Sequence, residues 1–179
     1  MIGVLVSGEG TNLQALIDAD LPIAAVASNK PDVRALDRAT AADIPARAFP
    51  LDAYASRDRR DEEMASWLTL HGVDLVVLAG YMHLLTSRFL ERFPDRIVNV
   101  HPSLLPAFPG AHAIEDALAA DVETTGVTVH YVDEGLDTGE VIRQEAVPLE
   151  PRETLVERIH SVEHRILPEV VRELCSAVH

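Results

Sequence analysis

The chain is short of three things. It has a single cysteine, Cys175, so no intramolecular disulfide and no cysteine metal cluster can form. It is poor in positive charge: 15 Lys and Arg face 29 Asp and Glu, a formal net charge of −14. That argues against general nucleic-acid or anionic-membrane binding, which needs a basic surface. A phosphorylated small molecule remains open, because a helix N-terminus binds phosphate without net positive charge. Long apolar runs are also missing, and none approaches membrane-spanning length. Met1 leads straight into Ile2-Gly3-Val4-Leu5-Val6, with no basic segment ahead of it, so no secretory leader is expected. A reducing cytoplasm fits these absences.

What remains is 179 residues, 47% hydrophobic and 25% charged, ordinary values for a soluble globular chain. The length suits one domain, 1–179, with a real core. Ile2–Val6 reads as a buried parallel strand. Leu13, Leu16 and Ile17 then recur at helical spacing. Strands are expected at Pro22–Ser28, Pro45–Phe49, Asp74–Ala79 and Arg96–Val100, and helices over Pro31–Asp43, Arg57–His71, Ser87–Phe93 and Ala113–Ala120. Gly72 is placed to cap the third helix. Gly126–Val132 alternates with period two, valines on one side and Thr128 and His130 on the other. Val141–Val147 follows after a short loop, so these two strands should pair antiparallel. Pro151 opens a final helix through Leu155, Ile159, Val162 and Ile166, with a kink expected at Pro168. Together this predicts an α/β fold: a Rossmann-like open, mainly parallel sheet with helices on both faces and an antiparallel C-terminal end.

The stretch from Asn99 to His112 carries three prolines and Gly110 just past an apolar strand. Open α/β sheets place their chemistry in rigid loops of this kind. Asn99 and His101, two apart on extended backbone, point to the same side. An amide can hold a developing oxyanion while an imidazole handles a proton. Asp137 lies in the Asp133–Gly139 loop and, if that loop reaches the same edge, would orient the imidazole and hold it charged. The three would then serve acyl transfer to an amine with no Ser or Cys nucleophile. Taken singly, each also fits a solvated loop side chain, and His101, His112 and His130 with Asp137 are a weaker alternative as metal ligands.

Gly8-Glu9-Gly10-Thr11-Asn12 sits between strand and helix. It is neither a dinucleotide fingerprint, since Leu13 takes the third glycine's place, nor a P-loop. It is either a phosphate cradle at a helix start or a plain turn in which Thr11 or Asn12 caps the helix. Glu9 would repel a phosphate unless it points away. Arg57 and the Arg59–Arg60 pair read as a solvated helix face, with one of them available to an anionic tail. Tyr81–Leu85 reads as core or as the wall of an aromatic slot. His160 and Glu163, one helical turn apart, fit a surface pair or one side of a pocket.

Asn99-Val100-His101-Pro102-Ser103-Leu104-Leu105-Pro106, Phe108-Pro109-Gly110 and Gly135-Leu136-Asp137-Thr138-Gly139 together resemble the phosphoribosylglycinamide formyltransferase family. The resemblance runs from Val4–Gly8 to the Glu163–His164 pair. It implies a formyltransferase fold, and formyl transfer from 10-formyltetrahydrofolate to the glycinamide amine of phosphoribosylglycinamide in purine synthesis. Carried over, Asn99, His101 and Asp137 match the catalytic trio. Gly10, Thr11 and Asn12 match the substrate phosphate site, and His160 and Glu163 the ribose side. Arg57, Met82, His83, Leu84, Leu85, Asp133, Glu134, Gly135 and Leu136, with Asn99 and Asp137, match the folate site. Folate enters as cosubstrate; no metal, nucleic acid or membrane is implied, and the chain is expected to be a monomer or homodimer. Glu9, His83 and Ala107 depart from the family pattern, which has a smaller polar residue, Arg and Lys there. A deformylase-like hydrolase and a non-catalytic folate binder on the same scaffold are the alternatives. A methionyl-tRNA formyltransferase would need an added RNA-binding domain and suits the negative charge poorly.

Overall fold

The computed structural model describes residues 1–177. The chain forms two compact units, Met1–Val98 and Asn99–His179. Among the described residues no helix is long and apolar enough to cross a membrane.

In the first unit the apolar runs become β1 (Ile2–Val6), β2 (Ile23–Ser28), β3 (Ala46–Ala48) and β4 (Leu75–Leu78). Their order is β3-β2-β1-β4, every pair parallel. β1 and β4 are buried throughout, as strands covered on both faces must be. The connections are α1 (Thr11–Asp18), α2 (Arg34–Ala41), α3 (Arg57–Leu70) and α4 (Ser87–Leu90). The chain steps outward from β1 to β3, then returns to β4 on the other side of β1. Right-handed crossovers therefore put α1 and α2 on one face and α3 on the other. Gly3 in β1 agrees: a Cβ there would lie 3.1 Å from Leu68 of α3 and 2.9 Å from Val73. The reversal makes the C-terminal ends of β1 and β4 a topological switch point, where open α/β sheets bind ligands.

β5 (Ile97–His101) carries the chain across the junction, so Asn99 and His101 belong to the second unit. That unit continues with α5 (Ala113–Ala119), β6 (Thr124–Tyr131), β7 (Val141–Pro148) and α6 (Leu155–Ser176). β6 and β7 pair antiparallel, with a register shift between Val129 and His130. α6 packs on both strands through Leu155, Ile159, Ile166, Val170 and Val171. Arg143 of β7 ties to Glu169 and Glu173 of α6.

The mainly parallel α/β fold with an antiparallel C-terminal end is as the sequence predicts. Two expectations change. α2 spans Arg34–Ala41, shorter than Pro31–Asp43, because Asp43 takes a left-handed φ of 58° that ends the helix. The final helix begins at Leu155, after a single tighter turn over Arg152–Thr154. Pro168 lies inside α6, which runs on through it, forgoing one backbone hydrogen bond. Thr128 and His130, on the side of β6 opposite the valines, are buried.

Candidate functional site

In the second unit four polar side chains converge. Asn99 and His101 project from β5, His130 from the end of β6, and Asp137 from the loop between β6 and β7. His101 Nε2 donates to the Phe108 carbonyl at 2.8 Å, which leaves Nδ1 facing Asp137 Oδ2 at 3.5 Å. The same carboxylate oxygen accepts the Gly110 N–H at 2.8 Å. Phe108 and Asp137 are both non-glycine residues in the left-handed region, with φ of 51° and 54°. Such strain persists only where surroundings enforce it, and here one residue aims its carbonyl and the other its carboxylate at the same imidazole.

His130 has the other half of the arrangement. Its Nδ1 donates to the Tyr131 carbonyl at 2.8 Å, so Nε2 keeps its lone pair. Asn99 Nδ2 donates to that lone pair at 3.3 Å, which fixes which end of the amide is which. Burial lowers the His130 pKa, opposed by the Tyr131 hydrogen bond and by Asp137, whose Oδ1 lies 3.7 Å away. The register shift just before His130 is a bulge of the kind that re-aims a side chain.

The loop carrying His101 is braced from β6. Thr128 Oγ1 donates to the Ser103 carbonyl at 2.7 Å and accepts the Leu105 N–H at 3.1 Å. Gln144 Nε2 adds bonds to the Leu105 carbonyl at 2.8 Å and to Thr128 at 3.0 Å. The Asp133–Gly139 loop closes on itself, Asp133 Oδ1 accepting from Gly135 N–H and the Thr138 hydroxyl. A Cβ on Gly139 would sit 1.7 Å from the Tyr131 carbonyl oxygen, so only glycine allows this closure.

In the first unit, Gly10 is the residue that opens α1, at φ 75°, and no side chain caps the helix. The turn with Thr11 or Asn12 as cap is therefore not what forms. A Cβ at Gly10 would lie 2.6 Å from that of Ala35, so glycine is required both by φ and by the close approach of α2. Glu9 points toward Arg34, 3.7 Å away, and is well exposed. The helix start thus has no carboxylate of its own aimed at it, a fit for an anion.

Behind the switch point lies a second buried polar chain. Ser7 Oγ accepts the Met82 N–H at 2.9 Å and meets Asn29 Oδ1 at 2.5 Å. Asn29 Nδ2 is 3.2 Å from His83 Nε2, and Arg60 Nη1 is 3.1 Å from His83 Nδ1. Arg60 Nε bonds Asp61 Oδ1 at 2.6 Å, and Asp61 Oδ2 accepts the Thr86 N–H at 2.8 Å. Arg60 and Asp61 are fully buried. The expectation of a solvated face thus fails for Arg60, though Arg57 and Arg59 are exposed. The physical reason is helical geometry: positions 60, 61, 64, 65 and 68 form one inward stripe.

The structure brings Asn99, His101 and Asp137 together and adds His130, which sequence reasoning weighed only as a metal ligand. The period-two alternation that put it beside Thr128 was the available signal. Among the described residues no group of three or more His, Cys, Asp or Glu is placed to hold a metal ion. Glu163 is buried in α6, and His160 is exposed on the same helix, its ring 6.1 Å from that of His164. Gly10, Thr11 and Asn12 lie at the start of α1, Arg57 starts α3, and Met82–Leu85 follow β4. Met82, Leu84 and Leu136 are exposed apolar residues, a state that suits a ligand wall better than core.

Comparison with known proteins gives one answer. The formyl transferase family matches residues 1–171. Phosphoribosylglycinamide formyltransferase of Bacillus subtilis is 39% identical over 96% of this chain and 92% of its own length. The trifunctional purine biosynthetic protein adenosine-3 of Drosophila melanogaster is 44% identical over 97% of this chain, which spans only 14% of that protein. Among solved structures, glycinamide ribonucleotide transformylase 1 of Symbiobacterium toebii is 46% identical with a TM-score of 0.94, covering 98% of this chain and 87% of that one. Phosphoribosylglycinamide formyltransferase of Bacillus halodurans is 42% identical with a TM-score of 0.95, covering 99% and 96%. With the family match running over nearly the whole chain, and full-length relatives of the same activity, this chain belongs to the formyl transferase family, among its phosphoribosylglycinamide formyltransferases.

Proposed function

We propose that the chain transfers the formyl group of 10-formyltetrahydrofolate directly to the glycinamide amine of phosphoribosylglycinamide, the formyl-transfer step of purine synthesis. The single observation that carries the chemistry is the convergence of Asn99, His101 and Asp137, with His130 fixing the Asn99 amide. The amine nitrogen attacks the formyl carbon, and its carbonyl oxygen becomes an oxyanion. The Asn99 amide N–H that His130 does not take stabilises that oxyanion, and the His101 imidazole, oriented by the Phe108 carbonyl and the Asp137 carboxylate, handles the proton. Donors fixed before the reaction lose little in reorganising. The carbon–nitrogen bond to the folate then breaks, and the amine's proton passes by way of His101 and Asp137 to the departing nitrogen. No nucleophilic side chain is needed.

The start of α1, Gly10 to Asn12, suits the substrate phosphate; in the second unit, His160 and Glu163 suit the ribose. In the first unit Arg57 and Met82–Leu85 suit the folate; in the second, Asp133–Asp137 do. The family match crosses both compact units without a break over residues 1–171, which supports reading the chain as one catalytic domain. His101→Ala tests the assignment. Turnover should be lost while 10-formyltetrahydrofolate still binds; turnover close to wild type would remove His101 from the mechanism.

A further inference from the structure

Arg60 is a fully buried cation that the chemistry above leaves unused. Its Nη2 is buried and makes no hydrogen bond, and its Nη1 faces His83 Nδ1 at 3.1 Å. A guanidinium can only donate, so Nδ1 must accept. On the opposite side of the ring the Asn29 amide lies 3.2 Å from Nε2. A neutral imidazole has one lone pair and one N–H, so it cannot accept from both neighbours. The charge-assisted bond is the stronger, so Arg60 takes the lone pair. The proton then sits on Nε2 and donates to the Asn29 oxygen after a half-turn of that amide. The Ser7 hydroxyl, which in the structure donates to the Asn29 oxygen at 2.5 Å, then accepts the amide N–H instead, while it still holds the Met82 N–H.

We infer that Arg60 is a positioning residue that sets His83 as the neutral Nε2–H tautomer and, through Asn29 and Ser7, fixes the loop after β4 against the loop after β1. Both loops lie at the switch point of the first unit. The consequence for ligand binding rests on the reading of Met82–Leu85 as a folate wall. The surroundings of His83 agree with a neutral ring. Burial lowers its pKa first, then the positive charges of Arg60, Arg57 and Lys30, with Asp61 alone opposing. Tyr81, whose ring centroid is 6.0 Å from that of His83, is itself buried and un-ionised.

The test is the nitrogen chemical shifts of the His83 ring in the full chain, followed by NMR from pH 8 downward, with calorimetric titration of 10-formyltetrahydrofolate. In the wild type Nδ1 should read as unprotonated and Nε2 as carrying the proton, with no titration near the ordinary histidine value. Arg60→Met should move the His83 titration up toward that value, with burial still holding it below, and weaken folate binding on the order of tenfold, the scale of one charge-assisted bond. Arg60→Lys, which keeps a donor cation, should restore both. A proton on Nδ1 in the wild type would overturn the inference even if the Met variant fails to fold. Unchanged folate affinity in a folded Arg60→Met chain would reduce Arg60 to a structural residue. Because tautomer and binding are read without turnover, a failure of formyl transfer would count against the proposed function alone.

Discussion

Two buried polar clusters in this molecule handle charge in opposite ways. In the second unit donors and acceptors are matched. Asn99 gives a proton to His130, His130 gives one to Tyr131, His101 gives one to Phe108, and Asp137 receives one from Gly110. One carboxylate faces two imidazoles. In the first unit positive charge crowds a single imidazole: Arg60 takes the His83 lone pair, and Arg57 and Lys30 add charge. A matched cluster holds its groups still before any ligand arrives, as stabilising a charge that develops only in the transition state requires. A donor-rich cluster is settled by its strongest member, so one cation governs the shape of the loops around it.

The largest effect should come from breaking the matched cluster. Asn99→Ala should lower turnover by roughly a hundredfold or more, the usual loss for one oxyanion donor, a larger effect than on folate affinity. Steady-state kinetics beside a binding titration would show it, and near-wild-type turnover would remove the amide from the reaction. Next comes the backbone of the first unit. Gly10→Ala forces a Cβ to 2.6 Å from Ala35 at a left-handed φ. It should cost about 1–3 kcal/mol of stability and raise the KM for phosphoribosylglycinamide more than that for the folate. Denaturant unfolding and initial rates would separate the two effects, and an equal rise in both KM values would detach Gly10 from the phosphate.

The smallest effect is shared by the two clusters. Burial depresses the folded pKa of His83 in one, of His130 in the other, and of His164 on α6. As pH falls, the unfolded chain takes up protons first, near the ordinary value of 6.5. The stability these neutral rings contribute is therefore intact above that pH and declines below it, down to their folded values. Urea midpoints between pH 8 and pH 6 should fall toward the acid side. A flat profile would mean that the rings are not held neutral in the fold.

The matched cluster was the more legible of the two. Three prolines after an apolar strand marked the loop of His101, and the two-residue step from Asn99 put both side chains on one side. The Asp133–Gly139 loop between two alternating strands brought Asp137 into play. His130 escaped because a histidine on the polar side of an alternating strand usually meets solvent, and here that side is covered. Arg60 escaped for a related reason. Three arginines in four positions read as a charged face, yet a helix turns 100° per residue, and only Arg60 falls in line with Met64 and Leu68. The start of α1 read equally as an anion cradle or a capped turn, and its capping was not legible, because Gly10 takes a left-handed conformation that no local pattern announces.

The most direct test is conversion of 10-formyltetrahydrofolate, followed by absorbance, with and without phosphoribosylglycinamide. Turnover that depends on the ribonucleotide is expected, with formyl-glycinamide ribonucleotide as product. Equal turnover without it would mean that water is the acceptor, and would contradict both the transfer reaction and the phosphate site at Gly10 to Asn12.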